Sequence, residues 1–258
     1  MQEWISDASS SAGAGERHAP GAEHEEPMRE GAAIAGLRAG ILRFLQRGPA
    51  TAHGRRLLRQ LVTIILLLPA AWLVWQWTHA LLGLPHALGP NPPEWTHRFT
   101  GRLAVELLLA TLATSSLARL LGWRSLLLLR RRLGLISALY MTLHVANYLF
   151  LDRALAWEEI AGDLTKRPYI ILGATAFLAT WPLVLTSTDS AIRRLGGARW
   201  RRLHRLVYLV LAAAIAHSLW QMKAVEPRPV IFAVIAAGLF AERVRTFRRR
   251  RPRRSPVG

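Results

Sequence analysis

RRLHRLVYLVLAAAIAHSLW, residues Arg201 to Trp220, opens on arginines, runs through an almost wholly apolar body and carries a histidine near each end, His204 and His217. A run of about 20 apolar residues is what an α-helix needs to cross the hydrocarbon core of a bilayer. Inside such a helix an ionisable side chain is expensive, and its presence points to a function. The same apolar signature recurs along the chain. LVTIILLLPAAWLVWQW (Leu61 to Trp77) and YIILGATAFLATWPLVLTST (Tyr169 to Thr188) contain no charged residue at all. The pattern predicts six spans, at about 61–80, 100–120, 132–150, 169–187, 203–220 and 229–245. The expected fold is therefore all-α and integral to the membrane, a six-helix transmembrane bundle occupying residues 51–247.

The chain is 52% hydrophobic yet carries a formal net charge of +18. A soluble nucleic-acid binder of that charge would not leave such long uncharged runs, so no nucleic-acid partner is expected. The basic residues are instead distributed as topology requires. Arg55, Arg56 and Arg59 precede the first span; Arg119, Arg124, Arg130, Arg131 and Arg132 separate the second from the third; Arg193, Arg194, Arg199, Arg201 and Arg202 separate the fourth from the fifth; RVRTFRRRRPRR follows the sixth. All these blocks fall on one side, which the positive-inside rule assigns to the cytoplasm. Both termini are expected there, with the surplus charge against anionic lipid.

Residues 1–50 read differently. SSSAGAGERHAPGAEHEEPMREGAA lacks apolar periodicity and is expected to be a disordered cytoplasmic extension. It lacks the basic start and apolar core of a signal peptide, and Met28 offers an alternative start. Residues 36–48 have the makings of a basic amphipathic helix on the membrane surface. Residues 248–258 form a basic cytoplasmic tail.

The chain has no cysteine, which excludes disulfides, cysteine-bound iron–sulfur clusters and covalently attached haem. Any metal must be held mainly by histidine. Of the nine histidines, His18 and His24 fall in the extension, His53 precedes the first span, and His79, His86 and His97 lie at or beyond the outer surface. His144, His204 and His217 belong to the apolar helices or their ends. Counting from Arg132, His144 stands ~18 Å towards the outer face; His217 stands ~20 Å above His204 on its own span. His144 and His217 thus share one depth, where two imidazoles can hold a haem iron from both sides. His204 sits near the cytoplasmic face with no histidine opposite. On an ideal helix it also points about 140° away from His217, so a second haem is only weakly supported. Glu106 in the second span wants a partner, with Arg102 and His97 in reach, and Tyr140, Tyr148, Tyr208 and Trp220 read as packing and interface anchors.

Three stretches carry a resemblance: TGRLAVELLLATLATSSLARLLG (Thr100 to Gly122), RRRLGLISALYMTLHVANYLFLD (Arg130 to Asp152) and Thr165 to Trp220, with KRPY, LTST, LHRLVY and HSLW in order. They resemble the MsrQ (YedZ) family, haem-binding membrane subunits of bacterial periplasmic methionine sulfoxide reductases, within the ferric-reductase-like transmembrane superfamily. The likeness covers about residues 60–245. It implies haem b at His144, His204 and His217, metal ligands among them, and a flavin mononucleotide (FMN). Arg130 and Arg131 invite a role on haem propionates or flavin phosphate, although topology alone accounts for them. The implied role is electron delivery across the cell inner membrane. The electrons would come from the quinol pool or a cytosolic flavin reductase and pass to the periplasmic molybdopterin subunit MsrP, which repairs oxidised envelope proteins; the catalytic sulfoxide reduction lies on that partner. The alternatives are a ferric-reductase-like protein with its own substrate, or a non-redox membrane protein whose histidines bond helices.

Overall fold

The computed structural model describes residues 22–49, 51–222 and 226–249. The expectations for residues 1–21, His18 among them, and for most of the basic tail lie outside the described residues. The chain divides into two compact units, residues 1–43 and 44–258. Helix α1 (Ala22–Arg47) accounts for the described part of the first. It covers much of the stretch expected to be disordered, because Ala, Glu, Leu and Arg are all strong helix formers. Leu37, Ile41, Leu42 and Phe44 are exposed on it.

Every regular element among the second unit's described residues is helical, and its α-helices are α2 (Ala52–Leu81), α3 (Pro92–Leu120), α4 (Arg130–Ala146), α5 (Trp157–Lys166), α6 (Pro168–Leu185), α7 (Asp189–Leu195), α8 (Gly197–Leu203), α9 (Leu206–Trp220) and α10 (Pro227–Arg249). The helix starts are written locally. Thr51 caps α2 by accepting from the Gly54 N–H at 3.0 Å, Asn91 caps α3 from the Glu94 N–H, and Pro92 and Pro168 occupy first turns where no N–H is needed. Several hydroxyls within the apolar helices are satisfied one turn back: Thr100 donates to the Thr96 carbonyl at 2.7 Å, Thr111 to Leu107 and Thr180 to Ala176. This matters because lipid offers no alternative partner.

Helices α3, α4, α6 and α9 make the core, with α3 laid along α4 and α6 along α9. Tyr140, Leu211 and Val210 are almost fully buried at its centre. Two side chains stitch it with hydrogen bonds: the Ser137 hydroxyl donates to the Ala104 carbonyl at 2.7 Å and the Tyr140 hydroxyl to Leu66 at 2.8 Å. Tyr140 thus packs in the core, as the packing half of its sequence reading has it. Helix α2 covers one side and leaves Ile64, Ile65, Leu68 and Val74 exposed, as a face towards lipid would.

Among the described residues, five helical segments are long and apolar enough to cross a membrane: Ala52–Leu81, Pro92–Leu120, Arg130–Asp152, Pro168–Leu185 and Gly197–Trp220. The sixth expected span corresponds to α10, whose apolar part ends at Glu242, after which arginines dominate. It packs against α3 and α9, and Arg119 of α3 meets Glu242 at 2.8 Å.

Two departures from ideal helix bear on function. The segment predicted as one span from 203 breaks at His204 and Arg205, between α8 and α9. An angle counted along an ideal helix therefore does not carry from His204 to His217. Past His144, α4 widens into a π-helical turn over Asn147–Asp152, a distortion that often accompanies functional sites.

Candidate functional site

His144 near the end of α4 and His217 near the end of α9 come together, as equal depth predicts. Their ring centroids are 6.2 Å apart and their planes 84° apart. Each ring is fixed by the same device. His144 Nδ1 lies 3.0 Å from the His97 carbonyl, and His217 Nδ1 lies 2.7 Å from the Tyr169 carbonyl. A carbonyl oxygen only accepts, so each Nδ1 carries the proton and each Nε2 keeps its lone pair. That is the tautomer a metal ligand needs, with the far nitrogen anchored. His217 Nε2 is buried without any hydrogen-bond partner.

Glycines make room for both rings. A Cβ on Gly101 of α3 would stand 2.8 Å from His144 Nδ1, and a Cβ on Gly173 of α6 would stand 3.0 Å from His217 Nδ1. Each imidazole is thus pressed against the backbone of the neighbouring helix. Two imidazoles on one iron, with bonds of about 2 Å on each side, would put their centroids roughly 6 Å apart. The observed spacing, the tautomers and the orphaned nitrogen fit a haem held between them.

His97 of α3 is the residue that the sequence did not single out. Its ring lies 3.9 Å from that of His144, inclined by 35°, and its Nδ1 is 3.5 Å from the Asp152 carboxylate. Placed at the outer surface by its distance from the apolar run, it is drawn inward by the early start of α3 at Pro92. An N-cap signal at Asn91 was the available clue.

His204 is not part of this cluster. It closes α8, with its Nδ1 3.2 Å from the Trp200 carbonyl and its ring stacked on Trp200 at 3.9 Å. Trp200 is itself tied down by donating to the Thr186 carbonyl. His204 therefore shares the Nδ1-to-carbonyl anchor, and Arg130 is within electrostatic reach of it. The two expected arginines diverge. Arg131 pairs with Asp189 at 2.8 Å, whereas Arg130 faces an open cavity with Arg119, Arg124 and Arg243. Glu106 finds Arg102 at 3.8 Å on its own helix.

Beyond the histidine pair, Asp163 of α5 organises the neighbouring polar cluster. It is buried, accepts from the Tyr148 hydroxyl at 2.8 Å and from Arg153 at 2.6 Å, and lies 3.4 Å from Arg167. Burial acts against its charge, but the Tyr148 hydrogen bond and the two arginines outweigh it and lower its pKa.

Residues 100–215 of this all-helical membrane bundle, which include His144, match the family model for the ferric reductase like transmembrane component. Among relatives, the protein-methionine-sulfoxide reductase heme-binding subunit MsrQ of Azospira oryzae is 46% identical over 159 residues, covering 61% of this chain and 68% of the relative. The MsrQ protein of Herminiimonas arsenicoxydans is 41% identical over 73% of this chain and 84% of its own length. That of Salmonella paratyphi B is 41% identical over 70% and 88%. The chain belongs to the MsrQ family. No solved structure matches it.

Proposed function

We propose that this protein is a haem-binding electron-transfer subunit of a methionine sulfoxide reductase system. The observation that carries the reading is the pair His144 and His217, 6.2 Å apart, each with its Nδ1 on a carbonyl and with His217 Nε2 left unpartnered. Bound between them, a haem b would supply a one-electron carrier inside the apolar core. The residues do the rest. The His97 and Tyr169 carbonyls set the tautomers, Gly101 and Gly173 set the approach of the helices, and the surrounding apolar side chains exclude water. His204 marks an inner position for a second haem, its Nδ1 already committed to Trp200. Arg130 is left to serve a cofactor, while Arg131 is engaged with Asp189.

By the positive-inside rule the arginine blocks support an orientation with both termini in the cytoplasm of a bacterial inner membrane, α10 as a sixth span and anionic lipid against the basic face. Residues 51–247 then form the membrane domain, residues 1–50 a cytoplasmic extension and residues 248–258 a cytoplasmic tail. In that orientation His204 lies on the side of a quinol or flavin-reductase donor. The pair His144–His217 lies towards a periplasmic molybdopterin partner, MsrP. An FMN completes the proposed cofactor set.

The test is optical. Purified protein should show a Soret band that shifts on dithionite reduction. His144→Ala and His217→Ala should each remove the outer haem, and His204→Ala should leave it in place. Colourless protein from fresh membranes would overturn the reading. Reoxidation by MsrP but not by ferric chelates separates this function from that of a ferric reductase.

A further inference from the structure

We propose that the apolar face of α1 is a docking surface for an anionic lipid leaflet. Ile34, Leu37, Ile41 and Phe44 recur at steps of three and four residues, which sets them in one stripe of an α-helix. All four are exposed, Leu37 by 65%. A contiguous apolar stripe left open in this way marks an interaction surface. At 100° per residue Arg38 and Arg47 fall on its two flanks, roughly 80° and 100° from its centre, and Arg43 falls on the far side. Flanking arginines can lay their apolar stems along such a stripe and keep their charges at head-group level. Leu42 stands off the stripe, roughly 120° from its centre.

Charge selects the occupant. From Gly31 to Pro93 the sequence has no Asp or Glu. Among the described residues no carboxylate pairs with Arg38, Arg43 or Arg47. An apolar stripe edged by unpaired arginines is complementary to a bilayer surface, apolar within and negative at its head groups. Two copies set face to face would instead bring their arginines together without a counter-charge, which disfavours a second copy of this chain.

A second observation is where α1 ends. The Gly48 N–H donates to the Phe44 carbonyl at 2.7 Å and Gly48 adopts φ +72°, which closes the helix. The Ser125 hydroxyl donates to the Leu45 carbonyl at 2.7 Å, and Arg55 donates to the Pro49 carbonyl at 3.2 Å. Ser125 and Arg55 belong to arginine-rich stretches that the sequence assigns to one side of the membrane. The apolar helix α2 begins at Ala52, shortly after α1 stops at Arg47. The end of α1 is thus fastened where the chain enters the bilayer, and this keeps the stripe at high effective concentration near the head groups. The inference goes beyond the electron-transfer reading and does not depend on it.

The experiment uses the full chain in nanodiscs. Because the chain has no cysteine, one substitution gives a unique site for a spin label. Leu37→Cys and Ala39→Cys are the informative pair: both positions are exposed, yet they point about 160° apart on the helix. In discs containing phosphatidylglycerol, the ratio of oxygen to aqueous nickel-chelate collisions should be several-fold higher at position 37 than at 39. The difference should shrink several-fold in phosphatidylcholine discs, and also when Arg38→Gln and Arg47→Gln are combined. Equal, water-like ratios at the two positions overturn the proposal. So does spin–spin broadening at position 37, which would put a second copy on the face. A difference that is unchanged in neutral lipid overturns the choice of an anionic surface. Should Leu37→Cys not fold, Ile41→Cys takes its place on the same stripe. The Soret band is read in parallel, so absence of haem from the unmodified protein would sink the haem reading without touching this one.

Discussion

The imidazole of His144 stands 6.2 Å from that of His217, on a different helix, with the two planes nearly perpendicular. What keeps them there is less the histidines than the bare backbone opposite each. Adding a methyl group at Gly101 or Gly173 would drive a carbon to 2.8 or 3.0 Å from a ring atom. Overpacking of this kind costs about 1–3 kcal/mol. Gly101→Ala and Gly173→Ala should therefore each reduce the haem-to-protein ratio, the former more. Unchanged haem content with an unshifted Soret band in both variants would show that the helices approach more loosely than this.

His97 touches His144 with its ring but bonds it through its backbone carbonyl. The carbonyl survives substitution. His97→Ala should keep the outer haem at near-normal occupancy while shifting its reduction potential, because a ring beside the ligand and its link to Asp152 are removed. Complete loss of haem in a folded His97→Ala protein would mean that His97 itself is a ligand.

Asp163 gives a pH dependence with a definite sign. Its folded-state pKa lies below the ordinary carboxylate value. The stabilisation is thus fully present above the unfolded-state pKa of about 4 and is lost as pH falls through the depressed folded value. Asp163→Asn leaves Arg153 and Tyr148 short of a charged acceptor and should lower stability by about 1–3 kcal/mol at pH 7. The gap in Tm between the two proteins should close below pH 4. A gap constant from pH 7 to pH 3 would count against this assignment.

The Glu242 carboxylate joins α10 to α3, through Arg119 and Ser116. Glu242→Gln leaves a half-buried guanidinium without its counter-charge and should cost about 1–3 kcal/mol. The loss should be local. Faster hydrogen exchange or proteolysis in α10, with the Soret band unaltered, is the expected result; equal loosening of α4 and α9 is not.

Much of this was legible in the residues. Five membrane helices follow from apolar runs, since a bilayer imposes a length and an interior polarity that composition must satisfy. The shared depth of His144 and His217 follows from helical rise and the arginine blocks, both one-dimensional quantities. The tenth helix was harder, because α10 mixes a short apolar stretch with a charged one, and only packing against α3 and α9 shows where it belongs.

The sequence by itself determined the membrane class, the helical architecture and the level of the histidine pair, because these depend on hydropathy and on distance along a helix. Only the tertiary structure decided which groups meet across helices. It brought His97 beside His144, set Gly101 and Gly173 against the rings, broke the helix at His204, and turned Arg130 to the cavity while Arg131 went to Asp189. Helix rotation and local distortion settle such contacts, and a shift of one residue turns a side chain by about 100°.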